Sequence, residues 1–196
     1  MAERKATVTR ETKETSVKIE LNIDGKGQFE ITTGIRFFDH MLSQLAQHGI
    51  FDIKLSATGP DQHHVVEDVA ISLGKAFNQA LGDRRGIVRM AHAVVPMDDA
   101  LAIVALDIGG RGYTEFEASF NNTSIEKMPA DLIRHFFVSL ASEAKLNVHA
   151  KVLSGIDDHH KAEALFKALA RALDAATRLD ERITGKIPST KDTIET

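Results

Sequence analysis

The sequence predicts an α+β fold built from two duplicated half-domains. Each half is a small mixed four-stranded sheet with helices on one face, and a pseudo-twofold axis relates the two. Three observations carry this reading. The pentad His-His-x-x-Glu occurs twice, as His63-His64-Val65-Val66-Glu67 and His159-His160-Lys161-Ala162-Glu163, 96 residues apart. A related stretch precedes each pentad, FFDHMLSQLA at 37–46 and IRHFFVSLA at 133–141, aligning His40 with His135 at a shift of 95. Further back, Leu21-Asn22-Ile23-Asp24-Gly25-Lys26-Gly27 resembles Leu106-Asp107-Ile108-Gly109-Gly110-Arg111-Gly112 at a shift of 85. The second half therefore carries about ten extra residues ahead of its helix, an insertion of a size loops tolerate. Two copies are too few for a solenoid, so two packed halves are expected.

The elements follow in order. Residues 1–15 form a polar run. Val17, Ile19, Leu21 and Ile23 then alternate with polar residues, as in a half-buried strand. Gly25 to Gly27 make a turn, and Phe29 and Ile31 begin a returning strand, as in a hairpin. Residues 37–48 read as a short helix, and Phe51, Ile53 and Leu55 as a strand. Asp61 is an N-cap for a helix over 63–81, which Gly82 ends. The second half repeats the order: strands near 92–95, 101–108 and 113–120, a helix near 130–144, a strand near 146–152 and a helix over 158–179. The long helices match in phase. Val66, Val69, Leu73, Phe77 and Ala80 form one apolar stripe, and Ala162, Leu165, Leu169 and Leu173 the other. Both pentads thus lie at the first turn of a helix, at the edge of its buried face. The organisation is 1–90, 91–184 and a polar tail at 185–196, in one compact unit.

Composition narrows the function. Of 196 residues, 43% are hydrophobic and 27% charged, which is ordinary for a packed soluble chain. The net charge of −4, without a basic run, argues against nucleic acid as a partner. No apolar stretch reaches membrane-spanning length, and the opening MAERKATVTRETKET lacks the apolar core of a secretory leader. There is no cysteine, which excludes disulfides and thiolate-bound zinc. A cytoplasmic enzyme is expected.

Histidine with carboxylate is the usual ligand set of divalent transition metals. A lone His-His-x-x-Glu is an ordinary surface feature, but two in equivalent places point to paired metals. His40 and His135, equivalent in the duplication, are expected to complete the two shells. His48, His92 and His149 lack this double support and read as mainly structural. The donor set suits Mn, Fe, Co, Ni or Zn, whereas Mg2+ and Ca2+ prefer oxygen. Three His and one Glu per octahedral ion would leave two positions for substrate or water, which points to catalysis. Arg89, Arg111 and Lys191 are candidate anion binders, Arg111 within glycines that allow close backbone approach. Taken alone, Glu11 and Glu14 are ordinary carboxylates, and Ser189-Thr190-Lys191 is a polar tail. A dinuclear metal hydrolase and a metal-dependent assembly or storage protein are the alternatives.

Six motifs carry a resemblance. Thr12-Lys13-Glu14-Thr15, Phe38-Asp39-His40-Met41-Leu42, His63-His64-x-x-Glu67-Asp68, Gly82-Asp83-Arg84-x-Gly86, Asp158-His159-His160-x-x-Glu163 and Pro188-Ser189-Thr190-Lys191 span nearly the whole chain. In these the chain resembles the imidazoleglycerol-phosphate dehydratases of histidine biosynthesis, in their monofunctional form. The resemblance implies dehydration of imidazole glycerol phosphate to imidazole acetol phosphate, with two Mn2+ ions per subunit stabilising a substrate imidazolate. It implies that His40, His64, His159 and Glu163 hold one metal, and His63, Glu67, His135 and His160 the other. Of these ligands, His40, His63, His64, Glu67 and His159 would also face the substrate. Glu14 matches the acid/base position, and Asp98 is a reserve candidate for proton transfer. The register of the duplication makes Asp99 the equivalent of Glu14. Arg89, Arg111, Ser189 and Lys191 match phosphate-contacting positions, and Thr190 and His48 substrate-binding ones. Thr190 stands where many relatives have Ser, which keeps the hydroxyl. A homo-oligomer of 24 copies built from trimers, with sites between subunits, is implied as well.

Overall fold

A computed structural model describes residues 3–194. The first half contains β1 (Lys5–Glu11), β2 (Ser16–Asn22), β3 (Phe29–Thr32), α1 (Arg36–Gly49), β4 (Asp52–Thr58) and α2 (Gln62–Leu81). The second contains β5 (Met90–Met97), β6 (Ala100–Asp107), β7 (Tyr113–Glu117), β8 (Ser124–Ile125), β9 (Met128–Pro129), α3 (Asp131–Ala144), β10 (Asn147–Ser154) and α4 (Asp158–Thr177). The strand orders are β1-β2-β4-β3 and β5-β6-β10-β7, the same pattern twice. In each sheet the first three strands are antiparallel and the last runs parallel to its neighbour. The expected mixed sheets and their duplication are both present.

Two local expectations are corrected. The polar run at the start is largely strand β1. Among its residues only Val8 is fully buried, while Lys5, Thr7, Thr9 and Glu11 face water, so little apolar alternation marks it. The returning strand β3 does not pair with β2 as a hairpin. It lies parallel to β4, Phe29 opposite Ile53. The Asp52 carboxylate accepts the N–H groups of Lys26 and Gln28 at 2.8 and 3.0 Å, tying the turn to the start of β4. A Cβ on Gly25 would sit 2.3 Å from the Asp52 nitrogen, so only glycine passes there.

Helix α1 packs on α4, and α2 on α3. Exchanging the halves maps one pair onto the other. The two pairs share one aromatic core: Phe38 meets Phe136 edge-on at 5.5 Å, and Phe136 stacks on Phe166 at 5.0 Å. A Cβ on Gly74 of α2 would lie 2.7 Å from the Leu140 carbonyl of α3, so a glycine sets that close approach. The outer faces of the two sheets differ. The first presents Thr7, Thr9, Lys18, Glu20, Lys54 and Ser56 in cross-strand register. The second is mixed: β5 and β6 present Met90, Val94, Pro96, Leu101, Ile103 and Ala105, with Met90 61% and Val94 51% exposed, whereas the same rows continue through His92, His149, Lys151, Glu115 and Glu117.

The insertion of the second half holds the small β8–β9 ribbon and is pinned to the start of α4. Buried Asp158 accepts the backbone N–H groups of Asn121 and Asn122 at 2.9 and 2.8 Å, the Asn122 amide at 2.9 Å and the Lys161 ammonium at 2.9 Å. Burial pushes this carboxyl up, but these donors outweigh it and hold its pKa down to about 2. Asp158→Asn leaves the buried Lys161 charge uncompensated. Breaking a buried pair in this way costs about 3–5 kcal/mol. Chemical denaturation in chelator should show a lower midpoint for this variant, and an unchanged midpoint would remove Asp158 as an anchor.

Candidate metal centre

The N-caps place the pentads. Asp61 accepts the His64 N–H, and Asp157 those of His159 and His160, so both pentads open their helices at a fixed turn. In such a turn the first His and the Glu share a face. On α4, the His159 Nε2 and Glu163 Oε2 atoms are 3.2 Å apart, and His40 Nε2 of α1 lies 3.1 Å from the same oxygen. The other Glu163 oxygen takes the Lys167 ammonium at 2.7 Å. Burial raises the Glu163 pKa, but the hydrogen bonds from Lys167 and His40 outweigh it and keep the carboxyl ionised.

The twofold counterpart joins α2 to α3. His63 and His135 have ring centroids 4.7 Å apart, and His135 Nε2 is 3.4 Å from Glu67 Oε1. That contact has ion-pair distance without hydrogen-bond geometry, so the buried His135 Nε2 has no hydrogen-bond partner. In each triad, one ligand atom per residue lies within 4.8 Å of the others.

Three members of each expected set therefore meet within the chain, while His64 and His160 stand apart. His64 Nδ1 meets Asp61 Oδ2 at 2.5 Å, and its Nε2 is 3.4 Å from Glu14 Oε2. His160 Nδ1 meets Asp99 Oδ1 at 2.6 Å, and its Nε2 is 3.4 Å from Asp98 Oδ2. The carboxylates Asp61 and Asp99 raise the pKa of their respective imidazoles. His160 and the N–H groups of Ile156 and Asp157 hold Asp99 far below the usual carboxylate range. Strand register pairs Glu14 with Asp99, but the contacts refine that equivalence. Asp99 does for His160 what Asp61 does for His64, and Asp98 takes the place of Glu14. The cause is the tight turn at Asp98, with φ 46°, which turns Asp99 toward the start of α4.

Glu14 is exposed but its turn is fixed. The Thr12 hydroxyl accepts the N–H groups of Glu14 and Thr15 at 3.1 and 2.9 Å. The Thr15 hydroxyl donates to Asp68, which also takes Arg10 Nε at 2.7 Å. Asp68 follows Glu67 on α2, so the turn is anchored beside one triad.

The anion candidates gather elsewhere. Arg89 places Nε and Nη2 on Asp107 at 2.7 and 3.0 Å and donates from Nη1 to the Pro188 carbonyl at 2.7 Å. Asp107 raises its pKa. Gly109 lies beside this guanidinium, and Arg111 is exposed on the same loop. Ser189, with its hydroxyl accepting the Lys191 N–H at 3.2 Å, follows directly on Pro188, and Thr190 and Lys191 are exposed. Arg89 N–H also bonds the Ala176 carbonyl, at the far end of α4 from His159. Seventeen residues of helix separate His159 from Ala176, roughly 25 Å at the rise of an α-helix. Within one chain the His40–His159–Glu163 triad and the anion group are thus held apart.

His48 lies on α1 with Nε2 3.1 Å from the Gln44 carbonyl oxygen, and the Gln44 amide reaches His40 Nδ1 at 3.3 Å. Burial, Lys167 and Arg171 lower its pKa. Lys167 and Gln44 escape the motif reading. Both had a signal, each lying four residues beyond a candidate ligand, Glu163 and His40.

The imidazoleglycerol-phosphate dehydratase family model matches residues 33–173, which contain both triads. An imidazoleglycerol-phosphate dehydratase of Dehalococcoides mccartyi is 60% identical over 195 residues, covering 100% of both chains. One of Methanothermobacter thermautotrophicus is 53% identical over 191 residues, 96% of each chain. Among solved structures, that of the enzyme from Pyrococcus furiosus in complex with (S)-C348 superposes with a TM-score of 0.84 at 33% identity, over 95% of this chain and 100% of that one. The Staphylococcus aureus enzyme gives 0.83 at 31% identity, over 90% and 99%. Sequence and fold agree along the whole length: the chain belongs to the imidazoleglycerol-phosphate dehydratase family, hydro-lyases of histidine biosynthesis.

Proposed function

We propose that the chain dehydrates imidazole glycerol phosphate to imidazole acetol phosphate, using two Mn2+ ions per subunit in sites completed by a neighbouring copy. The observation that carries this reading is the distance along α4 between the His40–His159–Glu163 triad and the anion group. A substrate the size of a phosphorylated imidazole cannot span it. The anion group facing that triad therefore belongs to a second chain.

The donor sets fit manganese. They hold imidazole and carboxylate without thiolate, and the buried His135 Nε2 has no hydrogen-bond partner. Carboxylates hold the Nδ1 atoms of His64 and His160, which leaves Nε2 of each for an ion. His40, His64, His159 and Glu163 would hold one ion, and His63, Glu67, His135 and His160 the other, with His64 and His160 reaching across from a neighbour. Bound manganese supplies Lewis-acid stabilisation of charge on the substrate's imidazole ring. The chain's residues do the rest. Glu14 moves a proton at the substrate carbon. Ser189, Thr190, Lys191 and Arg111 bind the phosphate, and Arg89 sets the tail in place through Pro188. Lys167 takes one oxygen of Glu163 and leaves the other to the ion.

The exposed apolar side chains of β5 and β6 support a homo-oligomer, for which 24 copies built from trimers in the cytoplasm is our reading. A storage or assembly protein would account for the triads but not for Glu14 or the hydroxyl and ammonium groups of the tail. A dinuclear hydrolase would need a carboxylate bridging its two ions, whereas Glu67 and Glu163 belong to separate triads. The test is product formation from imidazole glycerol phosphate by chelator-treated protein, with and without Mn2+, alongside metal analysis. Turnover restored by Mn2+ at about two ions per subunit is expected. Full turnover by verified metal-free protein, or one ion per subunit at saturation, would overturn the reading.

A further inference from the structure

One carboxylate beside the triads has no counterpart in the other half. Glu126 lies at the tip of the β8–β9 ribbon, inside the insertion that only the second half carries. Its Oε1 is 2.9 Å from His159 Nδ1. The opposite ring nitrogen, Nε2, faces Glu163 and the ring of His40. His63 is the twofold counterpart of His159, and no hydrogen bond to its ring is found among the described residues.

The ribbon is built so that this contact is kept. Glu126 and Lys127 form its two-residue turn with φ of 45° and 72°. Such turns favour Gly, Asn or Asp, because a larger side chain is strained at positive φ. The turn thus keeps an unfavoured Glu at its tip. Its base is pinned, because Asp158, next to His159, takes the N–H groups of Asn121 and Asn122. Ribbon and imidazole are anchored to the same helical turn, which keeps the Glu126 backbone within reach of His159.

We infer that Glu126 is a positioning residue: it accepts a hydrogen bond from the Nδ1–H of His159, leaves the Nε2 lone pair free for an ion, and so tightens the His40–His159–Glu163 site alone. This rests on the metal reading above. A neutral imidazole ligates through one nitrogen only when the other carries the proton, and a carboxylate on that proton fixes both tautomer and ring angle. Lys167, whose ammonium rests on Glu163, opposes a cation there, which makes a second carboxylate beside the site more consequential.

The experiment is Mn2+ titration of metal-free protein. Glu126→Gly removes the carboxylate and relieves the positive φ, so the fold should hold, and an unchanged thermal midpoint checks that it does. Glu126→Gln keeps the reach and an acceptor oxygen without the charge. In Glu126→Gly, one of the two ions should bind about 10–100-fold more weakly and the other as in the parent. Glu126→Gln should fall between. The loss should persist in a His135→Ala background, which cripples the other site, and vanish in a His159→Ala background. Two ions bound with parental affinity in Glu126→Gly, or a loss that survives His159→Ala, would overturn the inference while leaving the proposed function standing. A parent protein that binds fewer than two ions would overturn both.

Discussion

Glu14→Gln should lose about 10²–10⁴-fold in kcat, the usual cost of removing a positioned acid or base. The substitution keeps the shape of the side chain and deletes only its ability to carry a proton. The turn that presents it is held by Thr12, Thr15, Asp68 and Arg10, none of which depends on the Glu14 side chain. Metal content, particle mass and KM should therefore stay near parental values while kcat collapses. That pattern separates a group acting in the transition state from one that merely binds. Near-normal kcat with saturating substrate and Mn2+ would withdraw the role from Glu14. Asp98 would then be tested first, since it stands to His160 as Glu14 stands to His64.

The second large effect is complementation. A chain with His159→Ala lacks one member of the His40–His159–Glu163 triad, and a chain truncated before Ser189 lacks the Ser189-Thr190-Lys191 tail proposed for phosphate. Each alone should be close to inactive at low substrate concentration. Co-expressed, the two should assemble particles in which some sites pair an intact triad from one chain with an intact tail from another. Random mixing in equal amounts makes about a quarter of such two-chain sites whole. Activity of the purified mixture should rise from near zero toward that level. No recovery in verified mixed particles would mean that a single chain supplies both groups, against the separation along α4.

Much of this was legible in the sequence because duplication writes each signal twice. The two pentads, their helical phase and the N-cap Asp61 located both triads, and the match of His40 to His135 supplied the third member of each. Strand β1 was hidden because its inward positions are Ala6, Val8 and Arg10, too mixed to show a period of two. The pairing of β3 was hidden because it depends on Asp52, a distant carboxylate that gathers the turn. The distinct tasks of Asp98 and Asp99 depend on one backbone angle that no spacing reveals. Glu126 sits in the unduplicated insertion, where no second copy exists to mark it.

The two outer sheet faces bear on how growth of an assembly ends. Two separate, identical half-domains would show the same surface at both ends of their pair. If that surface were apolar, each pair would be sticky on both sides, and repeated head-to-head contact would run on into fibres. Fusion into one chain let the ends diverge. Lys18, Glu20 and Lys54 keep one end wetted, while Val94, Leu101 and Ile103 leave an adhesive patch on the β5–β6 side of the other. A subunit with one adhesive end can close it within a ring of copies and keeps no second such patch from which to extend, so placing a charge at Val94 should block association, whereas placing Val at Lys18 should invite precipitation.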